Sequence, residues 1–200
     1  MSRRAISPAG VLLAPGAGAD RNQSSLLAIE RTLSPLPVRR MDFPYRTAGR
    51  RAPDRAPVLM AAMADELARF CEELGCSTDA VLLGGRSMGG RIGSMVAAEL
   101  GGGGSGVPGL ALVSYPLHPP GRPDRLRTAH LPSLDVPVLF ISGTRDPFGT
   151  PEEFERETAV IPGPMTFRWI DGARHDLRGK DEQVAALIAE WIAEWIATVS

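Results

Sequence analysis

Two rhythms of apolar and polar positions take turns along the chain. Val11-Leu12-Leu13-Ala14 is a short unbroken apolar run that closes on Pro15-Gly16-Ala17-Gly18, the pattern of a buried parallel strand ending in a tight loop. From about Ser24 to Leu33 the spacing becomes helical, with Leu26, Leu27, Ile29 and Leu33 on one side. Val38 to Phe43 reads as a weaker strand and Pro44 to Ala56 as an Arg- and Pro-containing loop. Pro57, tolerated in a first helical turn, then opens a helix on which Leu59, Met60, Met63, Leu67, Phe70, Cys71 and Leu74 recur at three- and four-residue steps, with Gly75 as its C-terminal cap.

The same unit returns more sharply. Ala80-Val81-Leu82-Leu83 predicts a strand, Gly84-Gly85-Arg86-Ser87-Met88-Gly89-Gly90 a tight connection, and Ile92, Met95, Val96 and Leu100 the apolar face of the next helix. Gly101 to Ser105 is low in complexity and reads as a surface loop before the strand Leu110 to Ser114. A Pro-rich stretch from Pro116 to Val136 leads to the strand Pro137 to Ser142. Thr150-Pro151-Glu152-Glu153 combines a capping Thr, Pro at the first helical position and Glu three residues after the cap. Met165 to Ile170 reads as the last strand, and Val184, Leu187, Ile188, Trp191, Ile192, Trp195 and Ile196 form the apolar face of a closing helix. Strands alternating with helices about six times, with no internal linker or repeat, predict one α/β domain over residues 1–200. Its sheet should be mostly parallel, with about six strands and helices on both faces. Flavodoxin-like and dinucleotide-binding folds share this alternation, so function has to come from the site.

Composition narrows the classes. The chain has 200 residues, a formal net charge of -1 and a sequence pI near 6.3. No global field would gather nucleic acid or an anionic membrane, and neither is an expected partner. No apolar run approaches the roughly 20 residues of a membrane helix. The segment with Arg3 and Arg4 runs into the Gly-rich loop without the apolar stretch of a signal peptide, so the expected setting is the cytoplasm. Cys71 and Cys76 are too few for a disulfide scaffold and read as free thiols.

Gly85-Arg86-Ser87-Met88-Gly89 matches G-x-S-x-G between a predicted strand and a predicted helix, the context that makes this short pattern a nucleophile elbow. The serine backbone is strained there, so the residues two before and two after must be small, and both are Gly. A phosphate-binding loop would need Gly-Lys-Ser/Thr, and a dinucleotide fingerprint G-x-G-x-x-G in register; the segment offers neither. A serine needs a base to take its proton and an acid to hold the base. His175, just beyond the last predicted strand, is the expected base. Asp146, on the loop at the carboxyl end of the strand ending at Ser142, is the expected acid, with Asp171 and Asp176 as competitors. The oxyanion of an acyl-transfer transition state needs two preset donors. Met88 N–H and, from the loop after the first strand, Ala17 N–H are the candidates, with Gly18 as second choice. Gly16, Gly18, Arg86 and His118 are expected to line the pocket. Arg86 is expected to find a carboxylate partner, and His130 to be structural. No metal or organic cofactor is expected.

With these residues in place the chain resembles the α/β-hydrolases. More narrowly, it resembles predicted hydrolases related to the hydrolase-like domain in a subunit of the non-specific-lethal acetyltransferase complex, and more distantly the dienelactone hydrolases. The resemblance runs through Ala14 to Gly18, Asp42-Phe43-Pro44-Tyr45, Gly85 to Gly90, Tyr115 to Gly121, Gly143-Thr144-Arg145-Asp146-Pro147 and His175. It implies a compact α/β-hydrolase fold with a Ser87, Asp146 and His175 triad, beginning at the strand that usually comes third. Dienelactone hydrolases use a Cys nucleophile, and Ser87 departs from that. The Tyr115 to Val136 segment is too short and Pro-rich for a cap domain. The expected activity is hydrolysis of small acyl esters or thioesters. The rival is a non-catalytic binding or assembly module that keeps the fold.

Overall fold

The computed structural model of the chain describes residues 7–101 and 106–197. The Arg3 and Arg4 segment, most of the low-complexity stretch and the side chains of Trp195 and Ile196 lie outside the described residues. Six strands form one sheet: β1 (Gly10–Ala14), β2 (Val38–Arg40), β3 (Val81–Arg86), β4 (Leu110–Val113), β5 (Val138–Gly143) and β6 (Met165–Ile170). Their spatial order is β2-β1-β3-β4-β5-β6, and all five pairings are parallel. Central strands β1, β3, β4 and β5 are buried along their whole length, which is why they read as unbroken apolar runs.

The helices are α1 (Ser24–Leu33), α2 (Pro44–Thr47), α3 (Ala56–Leu74), α4 (Met88–Leu100), α5 (Pro151–Thr158) and α6 (Asp181–Ala197). Side chains of α3, α4 and α5 pack into one core beneath the sheet, around Leu67, Leu83, Ile92, Leu112 and Phe140. Those of α1 and α6 close the other face around Ile29, Leu82, Leu139 and Ile188. Each of the α3 side chains Leu59, Met63 and Leu67 is almost fully buried, worth roughly 1.5–3 kcal/mol apiece relative to an exposed position.

Some local expectations shift. Phe43 to Thr47, expected as strand end and loop, contains the one-turn helix α2 with Pro44 in its first turn; Phe43 and Tyr45 are fully buried and stack at 6.4 Å. Asp79 and Ala80 belong to a 3-10 turn, and β3 runs on to Arg86, immediately before the nucleophile candidate. The Pro-rich stretch after β4 holds one 3-10 turn, Leu131–Ser133, and no α-helix. The expected Thr150 cap is present as a full capping box with Glu153. No helix among the described residues is long and apolar enough to cross a membrane.

Candidate active site

Ser87 sits between the end of β3 and the start of α4 with φ 49° and ψ −112°. A non-glycine residue in that region costs on the order of 1–3 kcal/mol and is tolerated only where the surroundings enforce it. They do. Strand and helix approach so closely that a Cβ on Gly89 would lie 2.2 Å from the Ala14 carbonyl oxygen, and one on Gly85 2.4 Å from the same atom. The Ser87 amide is held by the Val113 carbonyl of β4 at 2.8 Å.

Asp146 and His175 arrive on neighbouring loops at the carboxyl ends of β5 and β6. These loops are bolted together: Arg145 N–H donates to the Ala173 carbonyl at 2.9 Å, and Thr144 Oγ1 donates to Asp171 Oδ1 at 3.1 Å. A Cβ on Gly143 would lie 2.1 Å from that Ala173 carbonyl oxygen, so glycine is required for the approach. His175 is thereby placed with Nε2 2.8 Å from Ser87 Oγ, and Nδ1 2.8 and 3.1 Å from the two oxygens of Asp146. The carboxylate accepts only, so Nδ1 carries the proton and Nε2 is left to accept from the Ser87 hydroxyl. The Asp146 side chain is 0% exposed, and buried charge demands donors. It has three: His175 Nδ1–H, the Ser142 hydroxyl at 3.1 Å and the Phe148 amide at 2.8 Å.

The loop after β1 is pinned from both sides of Ala17. Gly16 N–H donates to Gln23 Oε1 at 3.0 Å and Gly18 N–H to the Tyr45 hydroxyl at 3.2 Å. Among the described residues neither Ala17 N–H nor Met88 N–H donates to an acceptor within the chain. Gly18, at φ 80°, supplies the left-handed turn.

Other expected site residues are placed differently. Arg86 is only 7% exposed, and among the described residues it pairs with no carboxylate within 4 Å. Its Nη2 donates to the His175 backbone carbonyl at 2.6 Å. Burial pushes its basicity down, against the more distant charges of Asp181, Asp176 and Asp146. His118 is also withdrawn, 5% exposed, with Nδ1 against the Pro119 carbonyl at 2.9 Å and Nε2 3.3 Å from Glu153 Oε2, the capping residue of α5. Its ring thus braces the start of α5. Of the competing acids, Asp171 is engaged by Thr144 and Asp176 Oδ1 accepts from Arg178 N–H at 3.4 Å; neither takes the His175 ring. Phe148 was not foreseen: its ring stacks on His175 with centroids 3.9 Å apart. Only its place two residues after Asp146 hinted at it.

A strand-ending serine hydrogen-bonded to a histidine that is in turn held by a buried carboxylate is the arrangement that activates a hydroxyl for attack on a carbonyl carbon. The sequence pattern of the alpha/beta hydrolase domain matches residues 7–199. The chain belongs to that family. Solved structures agree on the fold of this α/β-hydrolase. An alpha-beta serine hydrolase homologue from Coxiella burnetii superposes with a TM-score of 0.73 at 17% identity, covering 93% of this chain and 86% of that one. Est1E from Butyrivibrio proteoclasticus gives 0.72 at 15% identity, covering 96% and 90%. Dienelactone hydrolase from Anabaena variabilis gives 0.72 at 21% identity, covering 94% and 87%.

Proposed function

We propose that this α/β-hydrolase is a serine hydrolase of small acyl esters or thioesters, working through an acyl-serine intermediate. The observation that carries the reading is the continuous chain from Asp146 through His175 to Ser87, with 2.8 Å at both links. In the proposed cycle His175 Nε2 takes the Ser87 proton as Oγ attacks the carbonyl carbon. The oxyanion is met by Met88 N–H and Ala17 N–H. His175 returns the proton to the leaving alcohol or thiol as its bond to carbon breaks. Water then repeats the attack on the acyl-serine, releasing the acid and restoring the Ser87 hydroxyl. Asp146 keeps the imidazole in its Nδ1–H form and offsets the charge it gains. Esterase and dienelactone hydrolase names among structures of the same fold support the class of bond, and the lack of an α-helix between β4 and β5 supports small substrates.

The rival reading is a binding or assembly module on the same fold, which is what kinship with the hydrolase-like domain of the acetyltransferase-complex subunit would imply. Against it stands the cost of keeping a strained Ser87 and a fully buried Asp146 in register with His175. Assaying wild type and Ser87→Ala against aryl esters, thioesters and peptides separates the two. The proposal expects hydrolysis of at least one ester or thioester that Ser87→Ala abolishes; no Ser87-dependent hydrolysis of any of them would favour the module.

A further inference from the structure

The loop after β1 runs directly against the elbow that carries Ser87. β1 and β3 are parallel neighbours with Ala14 opposite Gly85, and the chain beyond Ala14 keeps that closeness. A Cβ on Gly89 would lie 2.6 Å from the Pro15 carbonyl oxygen, and one on Gly16 would lie 3.6 Å from the Arg86 carbonyl oxygen. Gly16 therefore passes beside the residue that precedes Ser87, and Ala17 follows it. Burial does little to fix this tip, since Ala17 and Gly18 are exposed. Side chains from other parts of the fold hold it instead.

Gln23 is the N-cap residue of α1, yet its side chain makes no bond to the helix it caps. Its Oε1 reaches back seven residues and accepts from the Gly16 N–H at 3.0 Å. Tyr45 is fully buried with its ring stacked on Phe43, and its hydroxyl accepts from the Gly18 N–H at 3.2 Å. Farther along, Asp42 accepts from the Arg21 amide at 2.7 Å and from its Nε at 2.6 Å. The Ala19 N–H donates to the Gly16 carbonyl at 3.1 Å. Of the amides from Gly16 to Ala19, only that of Ala17 is left without an acceptor among the described residues. Two side chains thus take the amides on either side of Ala17 and leave its own available.

We propose that Gln23 and Tyr45 are positioning residues that preset the Ala17 N–H as an oxyanion donor. The assignment rests on the serine-hydrolase reading and adds two residues to its machinery. A donor already in place costs no reorganisation as charge develops on the carbonyl oxygen, and losing one donor outright costs roughly 100- to 1,000-fold in kcat. Removing an anchor loosens the donor without deleting it, so the expected loss is smaller, about fivefold or more. Tyr45→Phe keeps the stacked ring and removes only the hydroxyl, and Gln23→Met keeps the side-chain length and removes the acceptor. Each should lower kcat on 4-nitrophenyl acetate by about fivefold or more with KM within about twofold of wild type. Each should also weaken inhibition by n-butylboronic acid by about fivefold or more, because its tetrahedral adduct on Ser87 sets an oxygen where the oxyanion forms. A merely structural role would lower the unfolding midpoint and leave the boronate affinity of the folded protein unchanged. A smaller loss of kcat in either folded variant, a loss confined to KM, or unchanged boronate affinity beside a fallen kcat overturns the assignment. Gln23→Met carries the test alone if Tyr45→Phe does not fold. Failure of the underlying reading looks different: wild type itself would show no hydrolysis that Ser87→Ala removes, and both would fall together.

Discussion

Arg86 Nη2 and the His175 carbonyl oxygen meet at 2.6 Å, so the residue before Ser87 holds the backbone of His175. The contact joins the elbow to the loop after β6, which the Ser87–His175 bond also links. On the proposed mechanism Arg86 acts as a positioning residue. Because misplacement by about 1 Å can cost on the order of 100-fold in rate, Arg86→Met is expected to lower kcat by about 10- to 100-fold with little change in KM. Arg86→Lys should recover part of that loss. Steady-state kinetics on an aryl ester checks it; a change confined to KM would move Arg86 from positioning to binding.

The three histidines should separate cleanly. His175 touches Ser87, His118 braces α5, and His130 bonds to Ser94. His175→Ala is expected to reduce kcat by several orders of magnitude, as removal of a triad base does. His118→Ala and His130→Ala should stay within about tenfold of wild type, since neither ring reaches the reacting atoms. Equal losses in His118→Ala and His175→Ala would assign the base wrongly.

The strands were legible because a strand buried on both faces must be apolar throughout, as Val81-Leu82-Leu83 and Val138 to Ile141 are. The Ser87 elbow was legible because only small residues survive the crossing of β3 and α4. Asp146 and His175 followed from where a parallel sheet collects its loops. Arg86, His118 and Phe148 were not legible in the same way. Each lies beside a residue of the triad or on a loop expected to line the site, yet the side chains of Arg86 and His118 turn inward to acceptors contributed 89 and 35 residues away. Sequence neighbourhood says where a backbone is and little about which partner a long polar side chain finds. The α2 turn was hidden for a related reason: the burial of Phe43 and Tyr45 comes from tertiary packing, and four residues carry no helical period.

His130 supplies a pH dependence of stability. Burial and the Arg91 charge lower its folded value to about 4 from the ordinary 6.5. Between those values the unfolded chain binds the proton and the folded chain does not, so stability rises with pH across about 4 to 6.5. It is fully present above that window and lost as pH falls through it. Urea midpoints at pH 4.5 and 7.5 should differ less in His130→Gln than in wild type. An unchanged difference would mean that His130 titrates normally in the folded chain.

Acyl length should matter. The segment between β4 and β5 has no α-helix, so no helical cap from that segment is there to reward extra methylenes at roughly 0.8 kcal/mol each. Across a series of 4-nitrophenyl esters, kcat/KM is expected to peak at short acyl chains and to show no jump at a lipid interface. An optimum at ten or more carbons would mean that the loops around Pro116 and Pro44 fold together into an apolar wall.

The central claim is that the Ser87 hydroxyl takes the acyl group. Acid-quenching the protein during turnover of an aryl ester, followed by peptide mass analysis, measures this directly. The account predicts a mass increase equal to one acyl group on the peptide containing Ser87, lost in Ser87→Ala and strongly diminished in His175→Ala. Hydrolysis that proceeds with the acyl group on another residue, or at an undiminished rate in Ser87→Ala, would contradict it.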